Sequence, residues 1–122
     1  MPSIDIKTLK LEKETKNNIA TRMYQEVKNI IKIPSIEIYF NEYDSFYVNG
    51  KTQGKNFVTI FFDGPELSQE MITQLCAVTF NVIHDILKET CSNINFACRS
   101  NKHTHVGHGG KLLAEMFNTW NK

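Results

Sequence analysis

The sequence predicts an α+β, two-layer fold: duplicated β-α-β units forming a four-stranded mixed sheet with two helices on one face. Three observations carry this. Apolar residues recur at spacings of three and four along two long segments; the segments flanking them alternate, or run β-branched and aromatic; and the order strand, helix, strand occurs twice at similar length. With 122 residues the chain holds one core and not two, so a single domain over 1–122 is expected.

The first strand begins almost at the terminus, where Ile4 and Ile6 alternate with Ser3, Asp5 and Lys7, the period of a strand with one buried face. From about Glu12 to Ile31, the residues Ile19, Ala20, Met23, Val27, Ile30 and Ile31 form an apolar helical stripe, and Lys16, Asn17, Arg22, Glu26 and Lys28 occupy the other side. Pro34 stops this helix, because proline lacks the ladder donor and disfavours helical geometry before it. Ile36, Ile38 and Phe40 then alternate against Glu37 and Tyr39 in a second strand, completing a first unit over 1–42. Asn49-Gly50, a strong turn dipeptide, and Gly54 predict a hairpin loop over 43–56.

Phe57-Val58-Thr59-Ile60-Phe61-Phe62 is β-branched and aromatic almost throughout, which predicts a strand buried on both faces. Asp63-Gly64-Pro65 ends it and sets proline in the first turn of a helix over Glu66 to Glu89, with Leu75, Val82, Ile83 and Leu87 on its apolar stripe. Asn93 to Cys98 is the last strand expected, closing a second unit over 57–98. In the tail, 99–122, Leu112, Leu113, Met116, Phe117 and Trp120 form a short amphipathic helix after a Gly109-Gly110 hinge, covering the core or an adjacent subunit.

Composition excludes several classes. Hydrophobic residues at 41% and charged residues at 22% argue against wholesale disorder. A net charge of +1 provides no field to gather nucleic acid or an anionic membrane, so neither is expected as a partner. The N-terminal stretch is too short and too strictly alternating for a signal peptide or an anchor, which points to the cytoplasm. Cys76, Cys91 and Cys98 are an odd set without C-x-x-C spacing, lying inside apolar segments, and are expected as buried reduced thiols. Two right-handed crossovers place both helices on one face and leave the other bare, which predicts a closed ring of subunits.

Met1-Pro2 followed by Ser3-Ile4-Asp5-Ile6, a helix ending in Lys32-Ile33-Pro34, and a strand ending in Asn41-Glu42 together resemble the tautomerase superfamily, which includes oxalocrotonate tautomerase and macrophage migration inhibitory factor. The stretch from Lys16 to Lys51 is similar to the oxalocrotonate type; the second half is more similar to an uncharacterised bacterial group of the same fold. The resemblance implies removal of Met1, a homotrimer, a small-molecule substrate and no cofactor. It also implies that Pro2 is the catalytic base, because an N-terminal proline is a secondary amine with a lone pair whereas an internal one is an amide. A free α-amino group has a pKa of about 7.7–8.0, and burial beside cations lowers it into the range of a general base.

The same resemblance makes Lys32 and Arg99 the candidate binders of a substrate carboxylate or enol oxygen, the alternatives being an exposed helix-end lysine and a solvated arginine. Tyr39, with Tyr43, Phe46 and Tyr47, is a candidate wall for a planar substrate, or strand-end packing. Glu37 departs from the oxalocrotonate pattern, where an arginine binds and polarises the substrate. That reversal favours a second reading, a catalytically degenerate oligomeric binding protein on the same fold. His103, His105 and His108 have a spacing compatible with zinc or nickel, but no cysteine or carboxylate within the segment completes a ligand set, so no metal is assigned. His84 and Asp85, adjacent on a helix, invite a catalytic dyad but point to different parts of its surface.

Overall fold

The computed structural model describes residues 2–33 and 35–120. The expectations placed on Met1 and Pro34 lie outside the described residues, as does the packing of the Phe117 and Trp120 side chains. In chain order the elements are β1 (Ser3–Leu9), α1 (Lys13–Lys28), β2 (Glu37–Tyr43), β3 (Tyr47–Val48), β4 (Lys51–Thr52), β5 (Asn56–Pro65), α2 (Gln69–Leu87), β6 (Cys91–Asn101), β7 (Gly107–His108), β8 (Lys111–Leu112) and α3 (Leu113–Trp120). The main sheet has the order β2-β1-β5-β6. Each outer strand runs parallel to its inner neighbour, and β1 and β5 meet antiparallel at the centre, so two βαβ units stand back to back.

One face of that sheet is dry. Ile4 and Ile6 from β1 and Val58, Ile60 and Phe62 from β5 pack against Ile19, Met23 and Val27 of α1 and Leu75, Val82, Ile83 and Leu87 of α2. The matched spacing of the helical residues is the period-3.6 stripe seen in the sequence. Burying such side chains stabilises by roughly 1.5–3 kcal/mol each, and this layer is the main source of stability. The buried polar residues Thr8, Asn56 and Thr79 are satisfied: Thr79 donates to the Leu75 carbonyl at 2.7 Å, and the Asn56 amide donates to Thr8 at 2.7 Å while its oxygen accepts the Leu9 and Phe57 N–H groups.

The structure corrects several expectations. β5 is not buried on both faces: Phe57, Thr59 and Phe61 alternate onto the open face, and Phe61 is 39% exposed, because the helices cover only one side. Pro65 is the last strand residue, and α2 starts later, with the Ser68 hydroxyl accepting the Met71 N–H at 3.2 Å as its N-cap. β6 extends to Asn101 and takes in Arg99, which the sequence placed in the tail. Cys76 is exposed on α2 and Cys91 and Cys98 are half-buried, all three as free thiols. Gly109-Gly110 is no hinge. Both glycines have positive φ, 60° and 84°, and form the two-residue turn between β7 and β8. Asn49 and Gly50, at 52° and 78°, do the same between β3 and β4, so each βαβ unit carries its own hairpin. Among the described residues no helix is long and apolar enough to cross a membrane.

Candidate active site

Pro2 lies one residue before β1, at the end of the sheet where β2 begins and β5 and β6 finish. Its carbonyl accepts the Glu37 N–H at 3.1 Å, which ties it to the start of β2. Pro2 is buried. On its other side is Gly64, where an added Cβ would come within 2.8 Å of the Phe62 ring and 3.5 Å of the Pro2 Cβ. It is the Phe62 ring that crowds a side chain at Gly64, while the distance to Pro2 is an ordinary van der Waals contact.

Beside Pro2, on the open face, strand register aligns four residues in a row. Ser3 stands opposite Glu37 on one side and Asp63 on the other, and Asp63 stands opposite Arg99. The Arg99 guanidinium is 3.5 Å from Asp63, with its side chain 75% exposed. Such an exposed pair contributes roughly 0–1 kcal/mol and leaves the arginine free to turn to an arriving anion. The other Asp63 oxygen accepts from the Asn101 amide at 2.7 Å, so the carboxylate is anchored whichever way Arg99 points. Phe61, Phe62, Asp63, Ala97, Cys98 and Arg99 line a hollow of about 180 Å³ here. Burial, and then the Asp63 charge, push the Cys98 thiol above its ordinary pKa, which makes it a poor nucleophile.

Lys32 is exposed in the connection from α1 to β2. The parallel crossover brings that connection to the Pro2 end of the sheet, and among the described residues no ion pair holds its ammonium. Tyr39 is two residues beyond Glu37 on the open face and donates its hydroxyl to the Glu37 carboxylate at 2.8 Å. That hydrogen bond, followed by the charge of Glu37, raises the phenol pKa, so Tyr39 stays a neutral donor. Topology thus gathers Pro2, Lys32, Tyr39 and Arg99 at one end of the sheet, with Glu37 among them.

Sequence reasoning overlooked Asp5. It faces the open side between Tyr39 and Phe61 in register, and its Oδ1 is shut off from water with no hydrogen-bond donor among the described residues. The signal was a carboxylate at an outward position of β1 opposite two aromatic positions. Among the described residues no three histidine, cysteine or acidic side chains converge as metal ligands. His84 lies 3.9 Å from Asp85 but stacks on Phe80, and Asp85 also pairs with Arg22 at 3.3 Å, joining the two helices.

No protein-family model matches the chain, and no curated protein does. Solved structures do. The protein Pt0534, solved after inactivation by 2-oxo-3-pentynoate, superposes with a TM-score of 0.81 at 16% identity, covering 93% of this chain and 98% of that one. A wild-type fused 4-OT, a symmetric trimer, gives 0.78 at 15% identity over 93% and 96% of the two chains. This chain has the tautomerase fold. The same tautomerase fold is shared by a domain of unknown function, DUF1904, from Sebaldella termitidis, at a TM-score of 0.71 and 17% identity over 92% and 99% of the chains. Identities this low carry the fold and not the chemistry. Within the tautomerase fold of this chain, Pro2 opens a central strand and the two hairpins, β3-β4 and β7-β8, follow the two outer strands.

Proposed function

We propose that this protein is a tautomerase-type isomerase that moves a proton between carbon and oxygen on a small oxo acid, with the amine of Pro2 as general base once Met1 is removed. The observation that supports this most is the setting of Pro2: buried, tied through its carbonyl to Glu37, and packed beside Gly64 of β5. A terminus held that firmly offers its nitrogen in one orientation, which proton transfer requires.

In this reading the amine takes a proton from the carbon beside the substrate carbonyl. The electron pair moves onto the carbonyl oxygen, and the amine returns the proton there or at a conjugated carbon. Lys32 and Arg99 bind the carboxylate and oppose the charge that develops on oxygen, and Tyr39 presents its ring as a wall. These groups complete the reaction without a cofactor. A homotrimer is part of the proposal, supported by the open sheet face and by the trimeric fused 4-OT of the same fold. Three free thiols fit a reducing compartment, the cytoplasm.

The test uses 2-oxo-3-pentynoate, the reagent that inactivates Pt0534. An amine with a free lone pair adds to the alkyne carbon distal to the ketone, forming one N–C bond while a proton ends on the neighbouring carbon. The expected result is one adduct per chain, mapped by peptide mass to the fragment that begins at Pro2. A chain retaining Met1, or an adduct confined to cysteine, contradicts the assignment of the base.

A further inference from the structure

The Asp5 carboxylate is a half-made contact that the proposed proton transfer does not use. Strand pairing sets Asp5 in the middle of the open face, opposite Tyr39 of β2 on one side and Phe61 of β5 on the other. Solvent reaches both rings, which are 55% and 39% exposed, and does not reach the Asp5 Oδ1, which accepts no hydrogen bond from the described residues. An acceptor in that state has lost its hydration with nothing to replace it.

The chain's own cations leave it so. Lys7 shares the open face two residues along β1, yet among the described residues no ion pair joins it to Asp5. A second copy laid over this face, as in the trimer proposed above, takes the rest of the carboxylate out of water, and a buried charge without a partner opposes association. The present inference rests on that trimer and not on the chemistry at Pro2. Interfaces in a ring of three are heterologous, so Asp5 meets a different part of its neighbour and not the neighbour's own Asp5. The neighbour has donors to offer. The chain has 14 lysines and arginines, and among the described residues Lys16, Arg22 and Arg99 are those held in ion pairs.

We propose that a lysine or arginine of the neighbouring copy donates to the Asp5 Oδ1, and that this charge-assisted hydrogen bond, flanked by Tyr39 and Phe61, fixes one copy on the next. Exclusion of water by the rings strengthens such a bond. Asp5 is three residues along the strand from Pro2, about 10 Å, so the same contact sets the neighbouring copy beside the Pro2 site.

Sedimentation equilibrium of the full chain tests the contact, comparing wild type with Asp5→Asn, which keeps the shape of the side chain and removes its charge. Wild type is expected to form trimers, and Asp5→Asn to associate at least about tenfold more weakly, because the neighbour's cation is left without its partner. Equal or tighter association of Asp5→Asn would overturn the proposal, since the carboxylate would then have no donor across the interface. A wild-type monomer at micromolar concentration removes the ring and this contact with it, whereas a trimer indifferent to Asp5→Asn removes the contact alone. Should Asp5→Asn fail to fold, a crystal structure of the wild-type trimer decides. A lysine or arginine nitrogen of the adjacent copy within hydrogen-bond distance of Oδ1 bears the proposal out, and an Oδ1 without one overturns it.

Discussion

Glu42 belongs to the pattern that first suggested the fold, yet its role is structural. Its carboxylate accepts the Leu11 N–H at 2.6 Å and the Lys16 ammonium at 3.2 Å, clamping β2 to the start of α1. The backbone N–H bond, and then the lysine, hold its pKa below the usual carboxylate range. A folded-state pKa below the unfolded one gives stability that is complete above the unfolded value and is lost as pH falls through the folded value. Glu42→Gln is therefore expected to lower Tm at neutral pH, with the gap from wild type closing as acid protonates the carboxyl. Thermal melts of both proteins from neutral into acid check this, and a constant gap would contradict it. The clamp was not legible in the sequence because Leu11 lies 31 residues from Glu42. Asp5 and Asn56 escaped notice for the same reason, their surroundings being set by strand register rather than by neighbours in sequence. Pro2, Lys32 and Arg99 come from the resemblance and Tyr39 from its aromatic character near a strand end, and the βαβ topology accounts for all four lying at one end of the sheet.

Elements of strong period were legible in place and type: β1, both long helices and β2 follow from alternation or a three-four stripe. Their ends were less so. The long apolar run of β5 read as a strand buried twice, since composition alone does not tell a second covered face from an open one carrying Phe57 and Phe61. The β7-β8 hairpin was missed because its strands are two residues long and have no period, although His108-Gly109-Gly110-Lys111 echoes Val48-Asn49-Gly50-Lys51. The C-terminus of α2 holds a testable strain. Lys88 caps it at φ 51° and ψ −127°, a region that favours glycine. Lys88→Gly is expected to stabilise the fold by about 1 kcal/mol, measured by urea unfolding at unchanged slope. A loss of stability would mean that the long lysine stem contributes packing that outweighs the backbone strain.

For the molecule as a whole, the duplicated unit was visible in the repeated order of strands and helices, and the antiparallel join of β1 and β5 makes it one continuous sheet. What no periodicity encodes is the covering of the open face, which presents Tyr39 at 55% exposure and Phe61 beside the sequestered Asp5 oxygen. A trimer that closes this face is expected to sediment at three chain masses and to dissociate when Phe61→Lys adds like charges there, while the monomer keeps its fold. A wild-type monomer at micromolar concentration would contradict the ring. The chemistry at Pro2 is tested most directly by the enol-to-keto conversion of phenylpyruvate, with intact mass recorded on the same preparations. Wild type is expected to begin at Pro2 and to turn the enol over at least about a hundredfold faster than Pro2→Ala, the lower range for a general base. Equal rates in the two proteins, or a wild type that still carries Met1, would contradict the assignment of Pro2 as the base.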